Sequence, residues 1–447
     1  MYDITVIGGG PGGYRSAELL GKKHSVALIE ENHLGGICLN QGCIPFKSYL
    51  HYSRIRDEVM KSSAQHLMEN SDCRIDQEKV LENKNRIVSG LRQSIAGGLK
   101  ACGVEIISGT AVRAEEKDGS FLIQAGGQQI CSSKLIIATG SEEALLPVPH
   151  TSSNLVYSKD MLEMSVLPEE ILIIGGGVIG LEAACYYADA GSRVTILEMQ
   201  DHIGGNLDRE IADSLSRVLA KKGIRILTNA AVTRIEDDRV LYRLENEAQE
   251  LRAQVILCAI GRKPRLQREI LDPLGVEYDP SGIHIDDHCQ TTNRNVFACG
   301  DVTGKLMLAH TAYKQAKVIA DRLDGTESTV DYPRIPRVIY TNPEVMSVGY
   351  TEEDCKKQGI SYKVCSLPMT YSGKYYAENG KDGAKAKLLI NDRKEVIGLH
   401  IIGNGMSEFA LAAELMIMKH MTVNEISDLV FPHPTYCEIV SEMANNI

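Results

Sequence analysis

Apolar residues near the start of the chain fall in two short β-branched runs, separated by glycines and one helix-length stretch. "DITVIGGGPGGYRSAELLGKKHSVALIEEN" reads as a strand, a glycine turn, a helix over residues 14–20 and a second strand over 26–29 that Glu30 closes. "EEILIIGGGVIGLEAACYYADAGSRVTILEMQ" repeats the plan, with Glu198 ending its second strand. Between the two, residues 57–99 carry helical spacing with many charges, which predicts a long exposed helix pair. "KLIIATGS" and "AQVILCAIGRKP" read as buried strands ending in glycine turns, and they frame residues 141–261 as an inserted domain. "TTNRNVFACGDVTG" adds a strand that ends at Asp301. From Tyr332 the texture changes to short strands over 338–340, 385–390 and 396–401 and to helices such as 408–418.

These patterns predict an α/β protein of three domains. Residues 1–140 and 262–331 form the first and central part, 141–261 a second Rossmann-like domain, and 332–447 an α+β domain. A length of 447 residues fits about three domains. Hydrophobic residues at 43% and charged residues at 24% are the balance of a folded, soluble chain. A net charge of −11 without a basic run argues against a nucleic-acid partner. The most apolar stretch, 171–187, is interrupted by four glycines and Glu182, a poor membrane span. The chain begins with a strand, with no basic or cleavable apolar leader before it, so the expected location is the cytoplasm. Thiols there stay reduced, and Cys73, Cys102, Cys131, Cys185, Cys258, Cys289, Cys299, Cys355 and Cys365 read as small buried hydrophobes. Met406, Met416, Met418 and Met421 read as packing residues.

Chemistry enters at the glycines. One GxGxxG is only a tight strand-to-helix turn, but here there are two, Gly8, Gly10, Gly13 and Gly175, Gly177, Gly180, each followed by an acidic residue near the offset of a ribose partner. Such glycines let backbone approach a pyrophosphate, and the helix N-terminus attracts its charge. A second feature is "GGICLNQGCIPFKSYL", residues 35–50, with Cys38 and Cys43 five apart. Spacing alone leaves a redox pair, half of a metal site and chance all open, although no second Cys or His pair stands nearby at zinc-like spacing, so no metal is expected.

Taken in order, "GGICLNQGCIPFK", "ATGS", "GGGVIGLE", "AIGRKP", "FACGD", "LAHTA", "YTNPEVMSVGYTEE" and "HPTYCE" resemble the flavin-dependent disulfide oxidoreductases over essentially the whole chain, most closely the dihydrolipoamide dehydrogenase branch. The resemblance implies FAD held by Gly8, Gly10, Gly13, Glu30, Lys47, Thr139, Gly140, Asp301, Leu308 and Ala309, and NAD held by Gly175, Gly177, Gly180, Glu182, Glu198 and Gly261. The C-terminal domain would join two copies as a homodimer. Cys38 and Cys43 would form the redox disulfide, Cys38 exchanging with substrate sulfur and Cys43 facing the flavin as a thiolate. His433 of one copy would serve the other copy's Cys38 as base, with Glu438 fixing its tautomer. Lys47 and Glu182 match a pair near the flavin's reactive nitrogen, while Cys437 reads as packing.

The implied reaction reoxidises a protein-bound dihydrolipoyl group, its electrons passing through the disulfide and FAD to NAD. The lipoyl arm would come from a separate carrier protein or the E2 component of a 2-oxo acid dehydrogenase complex. "MQDH" after Glu198 offers no Arg beside it for a 2′-phosphate, so NAD is expected over NADP. Two alternatives stay open: reduction of another small disulfide, and a non-catalytic flavin-bound scaffold of a lipoyl complex. Ile37 and Phe46 depart from the Thr and the small polar residue common in the family.

Overall fold

The structure, a computed structural model, describes residues 1–69 and 72–447, so Asn70 and Ser71, inside the expected helical stretch 57–99, lie outside the described residues. The chain divides into two compact units. One holds Met1–Ser48, Glu78–Ala144 and Gly261–Tyr332; the other holds Tyr49–Gln77, Leu145–Ile260 and Pro333–Ile447. The first four helices are α1 (Pro11–Leu20), α2 (Gly36–Gln41), α3 (Cys43–Ala64) and α4 (Gln77–Ala101). No helix among the described residues is long and apolar enough to cross a membrane.

The first unit is built on strand Tyr2–Ile7, which runs parallel to Val26–Glu30 on one side and to Gln128–Ile137 on the other. Glu105–Ser108 extends one edge, Val296–Ala298 pairs in parallel with Gln128–Ile137, and the antiparallel strands Ala111–Lys117 and Ser120–Ala125 complete the sheet. Both faces are covered. Ile7, Ile29, Ile137 and Phe121 pack on one side, and Ile4, Val6, Leu28 and Ile136 meet Ala17 and Leu20 of α1 on the other. Burial on both faces is why the strands read as unbroken apolar runs instead of alternating ones.

The second unit contains a fully parallel sheet in the order Arg225–Leu227, Arg193–Leu197, Glu170–Ile174, Val255–Cys258, Leu155–Tyr157. It also holds a three-stranded antiparallel meander over Ala230–Glu236, Arg239–Leu244 and Glu247–Arg252. A five-stranded antiparallel sheet, in the order Arg337–Ile339, Val345–Gly349, Val396–Ile402, Lys385–Ile390, Lys363–Pro368, carries the C-terminal helices. Met406 and Met416 are buried in that core and Met421 packs against it, as expected of packing residues, while Met418 is half-buried.

Element ends differ from the sequence reading for local reasons. α1 starts at Pro11, because proline is suited to the first helical turn. The strand before Asp301 stops at Ala298, and Asp301 instead opens a short 3₁₀ turn after Gly300, whose φ is +80°. The strand expected over 338–340 covers Arg337–Ile339, since the Tyr340 N–H leaves the ladder for the Glu182 carboxylate.

Two buried polar groups pin the C-terminal sheet. Lys387, 2% exposed, places Nζ 2.8 Å from Asp208 Oδ1 and 2.5 Å from Glu352 Oε1. Burial disfavours its ammonium, yet these carboxylates hold its pKa above the ordinary lysine range. His400 bonds Ser347 Oγ through Nδ1 (2.7 Å) and the Tyr350 carbonyl through Nε2 (2.9 Å). A carbonyl only accepts, so Nε2 carries a proton, and the Ser347 hydroxyl serves Nδ1 as a donor when the ring is neutral. Burial pushes the His400 pKa below its ordinary value.

Lys387→Met should cost about 3–5 kcal/mol by leaving the Asp208 carboxylate buried and unpaired. Thermal unfolding checks this, and adding Asp208→Asn should recover part of the loss. The lowered His400 pKa means the unfolded chain takes up this proton first. Its contribution to stability is therefore present above about pH 6.5 and lost as pH falls below that value. His400→Gln should flatten the fall in thermal midpoint over that window; an unchanged pH profile would refute it.

Candidate active site

The two glycine turns are built alike. Gly8 and Gly175 have φ of +103° and +109°, and a Cβ on either would lie 2.3 or 2.4 Å from the carbonyl oxygen of Ala138 or Ala259, the residue just past the end of the neighbouring strand. A Cβ on Gly13 would stand 1.7 Å from the Gly8 carbonyl oxygen, and one on Gly180 would stand 2.0 Å from that of Gly175. The first and third glycines are thus spent on seating helix against strand. The middle ones are not: nothing lies closer than 3.7 Å to a Cβ at Gly10, and nothing within 4 Å at Gly177. Gly10 and Gly177 are the N-cap residues of α1 and of helix Val178–Ala190, and no side chain caps either helix. Each turn therefore presents open backbone and a bare helix N-terminus, which is the cradle a dinucleotide pyrophosphate fits.

The carboxylates that close the second strands do more than the sequence suggests. Glu30 Oε2 accepts from the Gly9 N–H (2.6 Å) and Oε1 from Asn32 (2.8 Å). Glu198 matches it, with Gly176 at 2.5 Å and Gln200 at 2.7 Å. Each brace leaves lone pairs for ribose hydroxyls, since a carboxylate offers about four acceptor sites. After Glu198 the chain folds back so that the Gly204 N–H reaches the Gly176 carbonyl (2.8 Å). The cation of that segment, Arg209, is tied to Asp201 (2.8 Å) and Asp213 (3.2 Å). It is already neutralised, which accords with the expected preference for NAD.

The cysteine segment docks on the first turn. The Gly35 N–H donates to the Gly9 carbonyl at 2.8 Å, and a Cβ on Gly36 would lie 2.6 Å from the Gly10 Cα. Cys38 sits in α2, Cys43 opens α3 after a break at Gly42, and the two are joined by a disulfide across a Cα–Cα distance of 4.7 Å. The bond answers the question that spacing left open: the pair is oxidised to each other. Cys43 is exposed at the N-terminus of a long helix, where the dipole favours a thiolate once the bond opens. Phe46 is buried and Lys47 stands one helical turn after Cys43. Among the described residues the other ten cysteines form no disulfide. Burial raises the pKa of Cys185 and Cys299 to about 12 and that of Cys355 to about 11, so these thiols are poor nucleophiles.

Asp301 is held by partners that the sequence reading missed. Ser141 Oγ donates to Asp301 Oδ2 (2.6 Å), and Arg262 donates to Ser141 Oγ (2.8 Å) and to its carbonyl (2.9 Å). Burial raises the Asp301 pKa, and the Ser141 hydroxyl and the Arg262 charge oppose the rise. Strands Ser141–Glu143 and Arg262–Pro264 pair antiparallel to bring this about. The signal was in view, because both residues lie inside motifs already noted, "ATGS" and "AIGRKP". Thr139 Oγ1 donates to the Arg265 carbonyl (2.9 Å), the Arg265 N–H donates to the Gly140 carbonyl (3.0 Å), and Arg265 pairs with Glu31. Gly261 accepts from the Ala144 N–H at 3.0 Å. Leu308 caps helix Ala309–Leu323 without a side-chain bond, leaving a third open N-terminus.

In the second unit, Glu182 is buried and its Oε1 accepts from the Tyr340 N–H at 3.0 Å. His433 Nδ1 lies 2.7 Å from Glu438 Oε1, and the Thr435 N–H holds Oε2 at 2.8 Å. An ionised carboxylate only accepts, so Nδ1 carries the proton and Nε2 is left as a proton acceptor on a side chain 77% exposed. The Thr435 N–H first, then His433, hold the Glu438 carboxyl below its ordinary pKa. Cys437 Sγ stands 3.1 Å from Thr435 Oγ1. Lys47 and Cys38 belong to one unit, and Glu182 and His433 to the other.

Known proteins share this design. Residues 2–316 match the family described as pyridine nucleotide-disulphide oxidoreductase, and residues 335–444 match the dimerisation domain of the same family. The chain is 32% identical over 452 residues to the dihydrolipoyl dehydrogenase of Mycoplasma genitalium, covering 99% of this chain and 97% of that one. It is 34% identical over 451 residues to that of Geobacillus stearothermophilus, covering 99% and 95%. The structure of the HOCl-induced flavoprotein disulfide reductase RclA from Escherichia coli has 27% identity and a TM-score of 0.85 over 99% of both chains. LpdA from Mycobacterium tuberculosis shares the fold, with a TM-score of 0.90 at 21% identity over 99% of both chains. With two dinucleotide turns, a disulfide docked on the first and a C-terminal dimerisation domain, the chain belongs to the pyridine nucleotide-disulphide oxidoreductase family.

Proposed function

We propose that the protein is an FAD-dependent dihydrolipoyl dehydrogenase, which reoxidises dihydrolipoyl groups carried on a separate protein and reduces NAD to NADH. The observation that carries the reading is the Cys38–Cys43 disulfide seated against the open glycine turn. In this reading residues 1–140 and 262–331 hold FAD, 141–261 hold NAD, and 332–447 join two copies. Gly8, Gly10, Gly13, Glu30, Thr139, Gly140, Asp301, Leu308 and Ala309 serve the first cofactor. Gly175, Gly177, Gly180, Glu198 and Gly261 serve the second. Lys47 and Glu182 act as a charged pair where flavin and nicotinamide meet. The homodimer, the lipoylated carrier or E2 partner and a cytoplasmic location complete the reading.

The chain's own residues then have defined tasks. His433 Nε2 takes the proton of a dihydrolipoyl thiol supplied to the partner copy's active site. The resulting thiolate attacks Cys38 Sγ, the Cys38–Cys43 bond breaks, and its electron pair leaves on Cys43 as a thiolate. The second dihydrolipoyl thiol attacks the substrate sulfur bonded to Cys38, closes the lipoyl disulfide and passes its proton to the departing Cys38. Glu438 holds the His433 ring in the required tautomer throughout and stabilises its charged form. Bound FAD and NAD supply the chemistry that carries the two electrons away as NADH.

A second reading, reduction of another disulfide at the expense of NADH, draws on the likeness to RclA. Assaying the purified protein with lipoamide, glutathione disulfide and cystine separates the two: lipoamide should lead by at least about 100-fold in kcat/KM, a difference of about 2.7 kcal/mol. His433→Gln should cut lipoamide turnover by about 100-fold or more, the usual worth of a general base, while flavin reduction by NADH keeps its rate in stopped-flow absorbance. Equal loss of both would overturn the role of His433.

A further inference from the structure

The segment between the two cysteines is closed by one side chain. Asn40 Nδ2 faces the carbonyls of Gly36 (2.7 Å), Leu34 (3.1 Å) and His33 (3.3 Å), tying the body of α2 back to the loop that enters it. Its Oδ1 accepts from Arg92 Nε, 2.5 Å away, in the middle of α4. A guanidinium only donates, so Oδ1 must face Arg92 and Nδ2 must face the carbonyls. Arg92 therefore selects the one amide orientation that ties the segment shut, and the bond carries a full charge on its donor, which makes it stronger than a neutral one.

The segment has little else of its own to hold it. α2 is 6 residues long, its N-cap Gly35 has φ +96° with no side-chain cap, Gly36 has φ +57°, and Gly42 breaks the chain before α3. While the disulfide is closed, a covalent ring restrains all of this. Once it opens, the ring is gone; the docking of Gly35 and Gly36 on the first turn holds the start of the segment, and the Asn40–Arg92 tie holds the body of α2.

We infer that Arg92 is a positioning residue for the redox pair, acting through Asn40 to hold the reduced Cys38 and Cys43 within closing distance. The inference rests on the reading of that pair as a redox centre. Holding two reacting groups in place raises the effective concentration of one at the other. A tighter reduced segment thus favours re-closure and makes the disulfide harder to reduce. Arg92 is outside every motif that the sequence reading singled out, and it touches neither sulfur in the role assigned to it.

The test is a thiol–disulfide equilibrium. Two glutathione molecules give up two electrons and two protons to become glutathione disulfide, while the Cys38–Cys43 bond takes them up as two thiols. The flavin-loaded protein is equilibrated without oxygen in glutathione buffers, quenched with acid, alkylated, and read by mass spectrometry at both cysteines. Arg92→Met should be about tenfold more readily reduced than wild type, equivalent to about 30 mV for this two-electron couple. Asn40→Asp, which keeps the acceptor for Arg92 but loses the amide donors, should move the same way. Arg92→Lys, which keeps charge and donor, should recover most of the wild-type equilibrium. Arg86→Met, on the same helix, should leave it unchanged. Arg92→Met matching wild type, or Arg86→Met shifting as far as Arg92→Met, would overturn the inference. A wild-type pair that does not exchange with glutathione at all would instead overturn the redox reading on which it rests.

Discussion

In both dinucleotide turns the third glycine lies so close to the carbonyl oxygen of the first that no side chain fits between them. That contact seats the helix against its strand and aims the helix N-terminus past the middle glycine, whose outer face stays open. Much of the site depends on this seating. It brings the Gly9 and Gly176 N–H groups to Glu30 and Glu198, and in the first unit it makes the floor on which Gly35 and Gly36 rest. The disulfide owes its place to a backbone approach that only glycine permits. A single methyl group at Gly13 would therefore disturb the nucleotide cradle and the redox segment together.

Around this frame, the carboxylates assigned functional roles have their oxygens engaged by chain donors. Glu30, Glu198 and Glu182 accept backbone N–H bonds, Asp301 accepts the Ser141 hydroxyl, and Glu438 accepts from both Thr435 and His433. Such bonds fix orientation before any ligand arrives, so less freedom is lost on binding. His433 illustrates the division of labour. One ring nitrogen is committed to Glu438, which leaves the other to take a proton. The exposure of that ring suits a base that acts on a group brought by another molecule.

The pieces legible in the sequence were those whose partners lie within one strand-turn-helix unit or one helical turn. The glycine turns and the carboxylates that close their second strands, Glu30 and Glu198, belong to this class, whereas the redox reading of the cysteine pair and the choice of His433, Glu438, Asp301 and Lys47 came from motif resemblance. Element ends were less legible, because a residue's backbone donor can be drawn away by a distant group. The Tyr340 N–H is one case, bonded to Glu182 and lost to the strand. Ile37 and Phe46 stood out as departures; Phe46 is buried and Ile37 half-buried beside Cys38.

By itself, then, the sequence determined the turns and the order of strands and helices, because backbone dihedral limits and short-range periodicity are written in neighbouring residues, while the chemistry of the cysteine and histidine motifs was legible only through their resemblance to a family. Only the tertiary structure decided that Arg92 meets Asn40, that Ser141 and Arg262 hold Asp301, and that Lys387 neutralises Asp208. These partners lie from 52 to 179 residues apart along the chain. No local pattern encodes such pairs, since a side chain's neighbour at that distance is set by how the sheets and helices pack and not by its own place in the sequence.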